Sequence, residues 1–224
     1  MAKRKAISAV ITCGDWLRFE NEVAKIEEND IEYIHVDVMD GTLVPNFMLG
    51  PDIVRKLHQR TAVPLDIHLM AVEPEEKIGY FELRPEDRLS FHLEGTLHPE
   101  ACIRAIRRGG GQAGISLSPK IAVEAVVPYW EQLDYVNVMC VQPGFAGQPL
   151  WPGARERLTQ VCRLAAGMNH HVEIEVDGNV SIQNAAWMSE LGAELFVAGS
   201  SSIYGPGCFC DNVKRLREAI RHSA

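Results

Sequence analysis

The sequence predicts an α/β chain folded as a (β/α)8 TIM barrel, and three observations carry that prediction. Short β-branched runs alternate with longer amphipathic stretches from end to end, eight such pairs follow one another, and 224 residues suits a single barrel. Strict alternation implies a parallel sheet with right-handed crossovers, and eight strands is the number that closes it. A doubly wound open sheet is the alternative the same pattern allows. No linker, low-complexity tract or charge block divides residues 1–224, which read as one domain.

The elements follow in order. Ala6–Thr12 reads as the first strand, and Asp15 caps a helix running toward Glu28. Glu32–Val38 is the second strand, and a Gly/Pro/Asn-rich loop leads from it to Gly50. Pro51 opens the next helix, to about Gln59, because proline at the first helical position forfeits no hydrogen bond. Pro64–Met70 is the third strand, with a helix after Pro74; Arg88–His92 is the fourth. The helix His98–Arg108 follows and ends at the glycines Gly109, Gly110 and Gly111. Next come strand Ala113–Leu117, helix Ala122–Tyr129, strand Tyr135–Val141, a long loop and helix Ala154–Ala166. Val172–Val176 is the seventh strand, Ser181 caps a helix through Leu191, Leu195–Ala198 is the eighth, and Asn212–Arg221 closes the chain.

Composition narrows the function. With 30 acidic residues against 22 basic ones, the net charge of −8 argues against extended nucleic-acid binding, which needs a basic face. No run approaches the ~20 apolar residues of a membrane helix, so no membrane partner is expected. The six cysteines fit neither a zinc finger nor a secreted disulfide framework, and Cys208 and Cys210 read as a reduced, partly buried pair. The apolar stretch after MAKRK is too short for a signal peptide. A reducing cytoplasm is the expected location.

In this fold the chemistry lies at the C-terminal ends of the strands. Strand two carries His35, Asp37 and Asp40 toward that end, strand three carries His68, and strand seven ends at Asp177 before Gly178. His35 and Asp37, two residues apart, share one side of their strand. Two imidazoles and two carboxylates converging there suit zinc, iron, manganese or cobalt better than calcium or magnesium. Each residue also has a structural reading, as a hydrogen-bonded core histidine or a turn aspartate, and spacing alone does not choose. Gly144, Phe145, Ala146 and Gly147 follow strand six, Gly178 follows strand seven, and Gly199 and Ser200 follow strand eight. Late loops of this kind, with a short helix start, bind phosphate, although ordinary turns use the same residues. Met39, Met70 and Met139 lie near the same end and, on composition, are core filler.

HVDVMDGTLVPNFMLGP, DIHLM, VMCVQPGFAGQ, IEVDGNV and AGSSSIYG stand in that order over nearly the whole chain, and together they resemble the ribulose-phosphate 3-epimerase family. The resemblance implies a ribulose-phosphate-binding barrel with one divalent metal, zinc or iron(II), held by His35, Asp37, His68 and Asp177. It also implies that Asp37 and Asp177 are the two acid/base groups. Backbone groups of Gly147, Gly178, Asn179, Gly199 and Ser200 would hold the substrate phosphate, with Gly144, Phe145 and Ala146 in the same loop and His68 beside the substrate. The three methionines become a polarizable lining beside the intermediate. The activity implied is 3-epimerisation of D-ribulose 5-phosphate to D-xylulose 5-phosphate, with a small ketose phosphate as partner and a homo-oligomer as the assembly. One base cannot reach both faces of a planar cis-enediolate, so two opposed carboxyl groups are needed, with the metal as Lewis acid.

The chain also departs from the family pattern. Ala9 and Val10 stand where a Pro-Ser pair is usual, Thr42-Leu43 where His-Phe is, Asn179 where a glycine is common, and Lys120-Ile121 where a Thr-Pro-like pair is. These changes leave open an epimerase of allulose 6-phosphate or of a four-carbon ketose phosphate, and a non-catalytic sugar-phosphate-binding barrel. Decarboxylase or hexulose-phosphate synthase chemistry is disfavoured, because their D-x-K-x-x-D motif is replaced by DVMD without lysine.

Overall fold

The structure, a computed structural model, describes residues 5–221; residues 1–4 and 222–224, including the basic start of the chain, lie outside the description. Among the described residues nine strands occur in order: β1 Ala6–Val10, β2 Tyr33–Asp40, β3 Phe47–Met48, β4 Leu65–Met70, β5 Arg88–His92, β6 Gln112–Leu117, β7 Tyr135–Met139, β8 Glu173–Asp177 and β9 Leu195–Ala198. All but β3 are parallel, and β1 pairs with both β2 and β9. That double pairing closes an eight-stranded (β/α)8 barrel and removes the open-sheet alternative. The unpredicted β3 lies antiparallel to the end of β2, pairing Met39 with Met48 and Asp40 with Phe47, which carries β2 past Val38.

The helices are α1 Phe19–Glu28, α2 Pro51–Arg60, α3 Pro74–Lys77, α4 Pro99–Arg108, α5 Ala154–Ala166, α6 Ile182–Leu191 and α7 Phe209–Arg221. Ser181 caps α6 by accepting from the Asn184 N–H. Asp15 caps only a 3-10 turn, Trp16–Arg18, by accepting from Leu17 N–H, and α1 begins after it. The segment expected as helix Ala122–Tyr129 is a 3-10 helix over Val123–Gln132. Pro128 inside it has no N–H for an α-helical ladder, and its ring would clash with the carbonyl four residues back. The helix after Pro74 is one turn, α3, followed by a 3-10 turn at Ile78–Tyr80.

Side chains alternate across the barrel wall, as strand geometry requires. Ile34, Val36, Ile67, Leu69, Leu89, Phe91, Ile115, Val136, Val138 and Val176 join the apolar layer under the helices. The other parity points inward and is polar: Ser8, His35, Asp66, His68, Arg88, Ser90, His92, Ser116, Asn137 and Glu175 are all buried. Among the described residues no helix is long and apolar enough to cross a membrane. The six cysteines are free, with Cys208 exposed rather than partly buried.

Candidate active site

Two histidines approach the C-terminal mouth of the barrel from different strands and present different nitrogens. His35, on β2, has Nδ1 2.7 Å from Asp66 Oδ2, which also accepts from Ser8 Oγ at 2.7 Å. An ionised carboxylate only accepts, so in neutral His35 the proton sits on Nδ1 and the Nε2 lone pair is left free. Nε2 lies 3.4 Å from Asp37 Oδ1 and 4.0 Å from Asp177 Oδ2. His68, on β4, places Nδ1 3.3 Å from both Asp37 Oδ1 and Asp177 Oδ2. Both of these ring nitrogens are buried and neither has a hydrogen-bond partner.

The four residues therefore offer ligand atoms that all lie within 4.8 Å of one another. Two orphaned imidazole nitrogens and two carboxylates fit a divalent transition metal, because imidazole with carboxylate suits such ions and a buried unpartnered nitrogen is otherwise costly. The protein's own electrostatics show the same demand. Burial pulls the His68 pKa down, but Asp177 and Asp37 outweigh it and lift it to about 9. Burial opposes ionisation of Asp37, yet His35 and His68 hold it well below the usual carboxylate range. For His35 too, burial is overcome by Asp66 and Asp37, which raise it well above its ordinary value. In the absence of a metal, protons are drawn to the place a cation would occupy.

Above this cluster one cavity brings together most of the residues expected to form the site. Asp37, His68, Asp177, Met39, Met70 and Met139 line it, as do Gly144, Phe145, Ala146, Gly147, Gly178, Asn179, Gly199 and Ser200. His35 lies beneath, fully buried, and reaches the cluster only through Nε2. The loop after β7 is tied down by Asn46, whose amide donates to Gly144 O at 2.8 Å, and by Asn179, whose amide donates to Gln148 O at 2.8 Å. Gly178 has φ +102°, and a Cβ there would meet Val141 at 2.5 Å. Asn179 is left-handed as well, at φ 51°. Asparagine is among the few side chains that tolerate this region, which explains how it stands where the family commonly has glycine.

Asp40, at the end of β2, serves the backbone instead: its carboxylate accepts from the N–H groups of Thr42, Leu43 and Val72 and shapes the loop after β2. One expectation needs correction. After β9 there is no helix start beside Gly199 and Ser200, only a turn in which Ser202 N–H and Tyr204 N–H donate to Gly199 O. Gly205-Pro206-Gly207 then delays α7 to Phe209. Sequence reasoning passed over Asp66 and His92. Both were findable: Asp66 stands two residues before His68, on the same inward face, and His92 ends β5.

A closed parallel barrel with its polar cavity at the strand C-termini defines the class, a (β/α)8 enzyme. KGPDC from Streptococcus mutans matches the fold with a TM-score of 0.73 at 11% identity, covering 97% of each chain. The 3-hexulose-6-phosphate synthase from Salmonella typhimurium matches with a TM-score of 0.65 at 12% identity, over 98% of this chain and 100% of that one. Sequence comparison is more specific. Residues 6–204 match the ribulose-phosphate 3 epimerase family. The chain is 37% identical over 200 residues to the ribulose-phosphate 3-epimerase of Bacillus subtilis, covering 89% of this chain and 92% of that one. It is 33% identical over 220 residues to the chloroplastic ribulose-5-phosphate-3-epimerase of Arabidopsis thaliana, covering 97% and 78%. The chain belongs to the ribulose-phosphate 3-epimerase family and is an isomerase acting on a small sugar phosphate.

Proposed function

We propose that this chain interconverts D-ribulose 5-phosphate and D-xylulose 5-phosphate by two-base proton transfer at C3, with one zinc or iron(II) ion held by His35, Asp37, His68 and Asp177. The observation that carries the reading is a pair of carboxylates from β2 and β8, three places apart round the wall, converging on the two orphaned imidazole nitrogens.

Asp37 and Asp177 act in opposite senses within one turnover. One, ionised, accepts the C3 proton from one face of the ketose; the other, carrying a proton, returns it to the opposite face of the planar enediolate. The pair ends with the same number of protons and exchanged roles, so the reverse reaction uses the same two groups. A carboxylate of pKa about 4 is a weak base for a carbon acid. A bound cation would supply the Lewis acidity that lowers the cost of negative charge on the two substrate oxygens. Backbone groups of Gly147, Gly178, Asn179, Gly199 and Ser200 are assigned to the phosphate, which anchors the ketose so that C3 lies between the carboxyl groups. Met39, Met70 and Met139 exclude water and offer polarizable sulfur beside the intermediate.

A second substrate reading has an observation behind it. Val10 lines the cavity, where the family's usual serine would offer a hydroxyl. That loss favours the weighing of six-carbon allulose 6-phosphate and four-carbon erythrulose phosphate as substrates. The test is exchange of the C3 proton with deuterium oxide, followed by NMR for the four-, five- and six-carbon ketose phosphates on metal-loaded protein. The highest kcat/KM is expected on the five-carbon substrate. No exchange with any of them overturns the enzymatic mechanism.

A further inference from the structure

His68 and His92 meet through a nitrogen-to-nitrogen contact that the proposed mechanism does not use. Their Nε2 atoms are 2.8 Å apart, and both residues are fully buried. The ring centroids are 5.0 Å apart with a tilt of 24°, so the rings meet edge to edge, as an N–H···N bond requires. Only one proton fits between the two nitrogens, and its owner decides what His68 can do. If His92 donates, His68 accepts on Nε2; neutral His68 then carries its proton on Nδ1, toward Asp37 and Asp177, and that nitrogen cannot ligate. If His68 donates, Nδ1 keeps its lone pair and can.

Glu94 breaks the tie. Its Oε1 lies 3.3 Å from His92 Nδ1. Burial would raise the Glu94 pKa, but hydrogen bonding to His92 outweighs it, with help from Ser118, and holds it down at about 2. An ionised Glu94 can only accept, so the His92 proton belongs on Nδ1, and His92 Nε2 must accept from His68.

We propose that His92, oriented by Glu94, is a positioning residue that holds the His68 proton on Nε2 and so turns the Nδ1 lone pair toward the two aspartates. The inference rests on reading the cluster as a cation site. Glu94, His92 and His68 form a chain of three, matching in role the shorter chain from Asp66 to His35. Each chain commits the outer nitrogen of a ligand histidine, so that the two rings present Nδ1 and Nε2 respectively.

The test compares His92→Phe, which fills the same space but cannot accept, with His92→Gln, whose amide oxygen can. Affinity for zinc is measured by chelator competition, and the tautomer of neutral His68 by long-range proton–nitrogen NMR correlation on cation-free protein above its pKa of about 9; circular dichroism checks the fold. His92→Phe is expected to bind zinc about 10–100-fold more weakly, the range for lost outer partners of metal ligands, and His92→Gln to keep most of the affinity. A role in packing alone would spare the phenylalanine variant. Should His92→Phe misfold, Glu94→Leu serves as the second probe, with weaker zinc binding and a mixed His68 tautomer expected. Wild-type affinity and an unmoved His68 tautomer in the folded variants overturn the role of His92. Failure of the wild-type chain to bind zinc overturns the cation site itself.

Discussion

Two buried ionic clusters sit one above the other inside this barrel, and they solve the problem of buried charge differently. In the lower one, Arg88 is surrounded by Glu173 at 2.6 Å, Glu175 at 3.5 Å and Asp66 at 3.8 Å, with its guanidinium over the Tyr135 ring at 3.7 Å. Burial, then Asp66, pushes the Glu175 pKa up to about 8, so this acid is protonated at neutral pH. Arg88 supplies a permanent cation to these acids, although its own Nε, Asp66 Oδ1 and both Glu175 oxygens have no hydrogen-bond partner. The upper cluster has two carboxylates and two imidazoles and no lysine or arginine among its members. Its only internal source of positive charge is protonated histidine. A half-buried group of acids without a permanent cation is poised to take one from outside, and this is the physical case for a metal at the mouth.

The contrast can be broken in graded ways. Asp37→Asn or Asp177→Asn is expected to lower kcat by about 10²–10⁴-fold, the usual contribution of a positioned acid or base, with circular dichroism unchanged. Near-normal turnover by either variant would contradict the two-base assignment. In the lower cluster, Arg88→Met should instead cost stability, about 3–5 kcal/mol in urea unfolding, because it strands buried carboxylates. If it is neutral, the floor is not held by that charge.

Cation loading should act on the upper cluster alone. A divalent ion at a hundred times its dissociation constant is expected to stabilise the protein by about 2.7 kcal/mol, lost on chelation, as measured by unfolding with and without chelator. A further effect concerns pH. In cation-free protein the His68 pKa is raised from 6.5 to about 9, so its contribution to stability is fully present below about 6.5 and lost as pH rises through about 9. Unfolding free energies measured under chelator should fall across that window. Cation affinity should climb over the same range, since binding displaces the proton. A flat profile for both would mean that His68 does not face the aspartates in solution.

Much of this architecture was legible in the residues because strand periodicity is strict. His35 with Asp37 and Asp66 with His68 share a face by parity alone, and eight alternating units predict the barrel that the pairing of β1 with both β2 and β9 closes. Helix type was less legible where a local breaker competed with amphipathic pattern, as Pro128 did in the 3-10 segment. Asp40 illustrates a related ambiguity. A carboxylate at a strand end can serve either a cluster or the neighbouring backbone, and the N–H groups of Thr42, Leu43 and Val72 claimed this one.

By itself the sequence determined the eight alternating units, from hydrophobic periodicity, and, through motifs within single segments, the family and the four side chains its resemblance assigns to the mouth. Tertiary structure alone decided which nitrogen each histidine presents, that Asp66 and Glu94 stand behind them, and that Arg88 closes the floor. Those are contacts between strands distant in sequence, and a proton's position in a buried ring is set by whichever acceptor the fold brings against it.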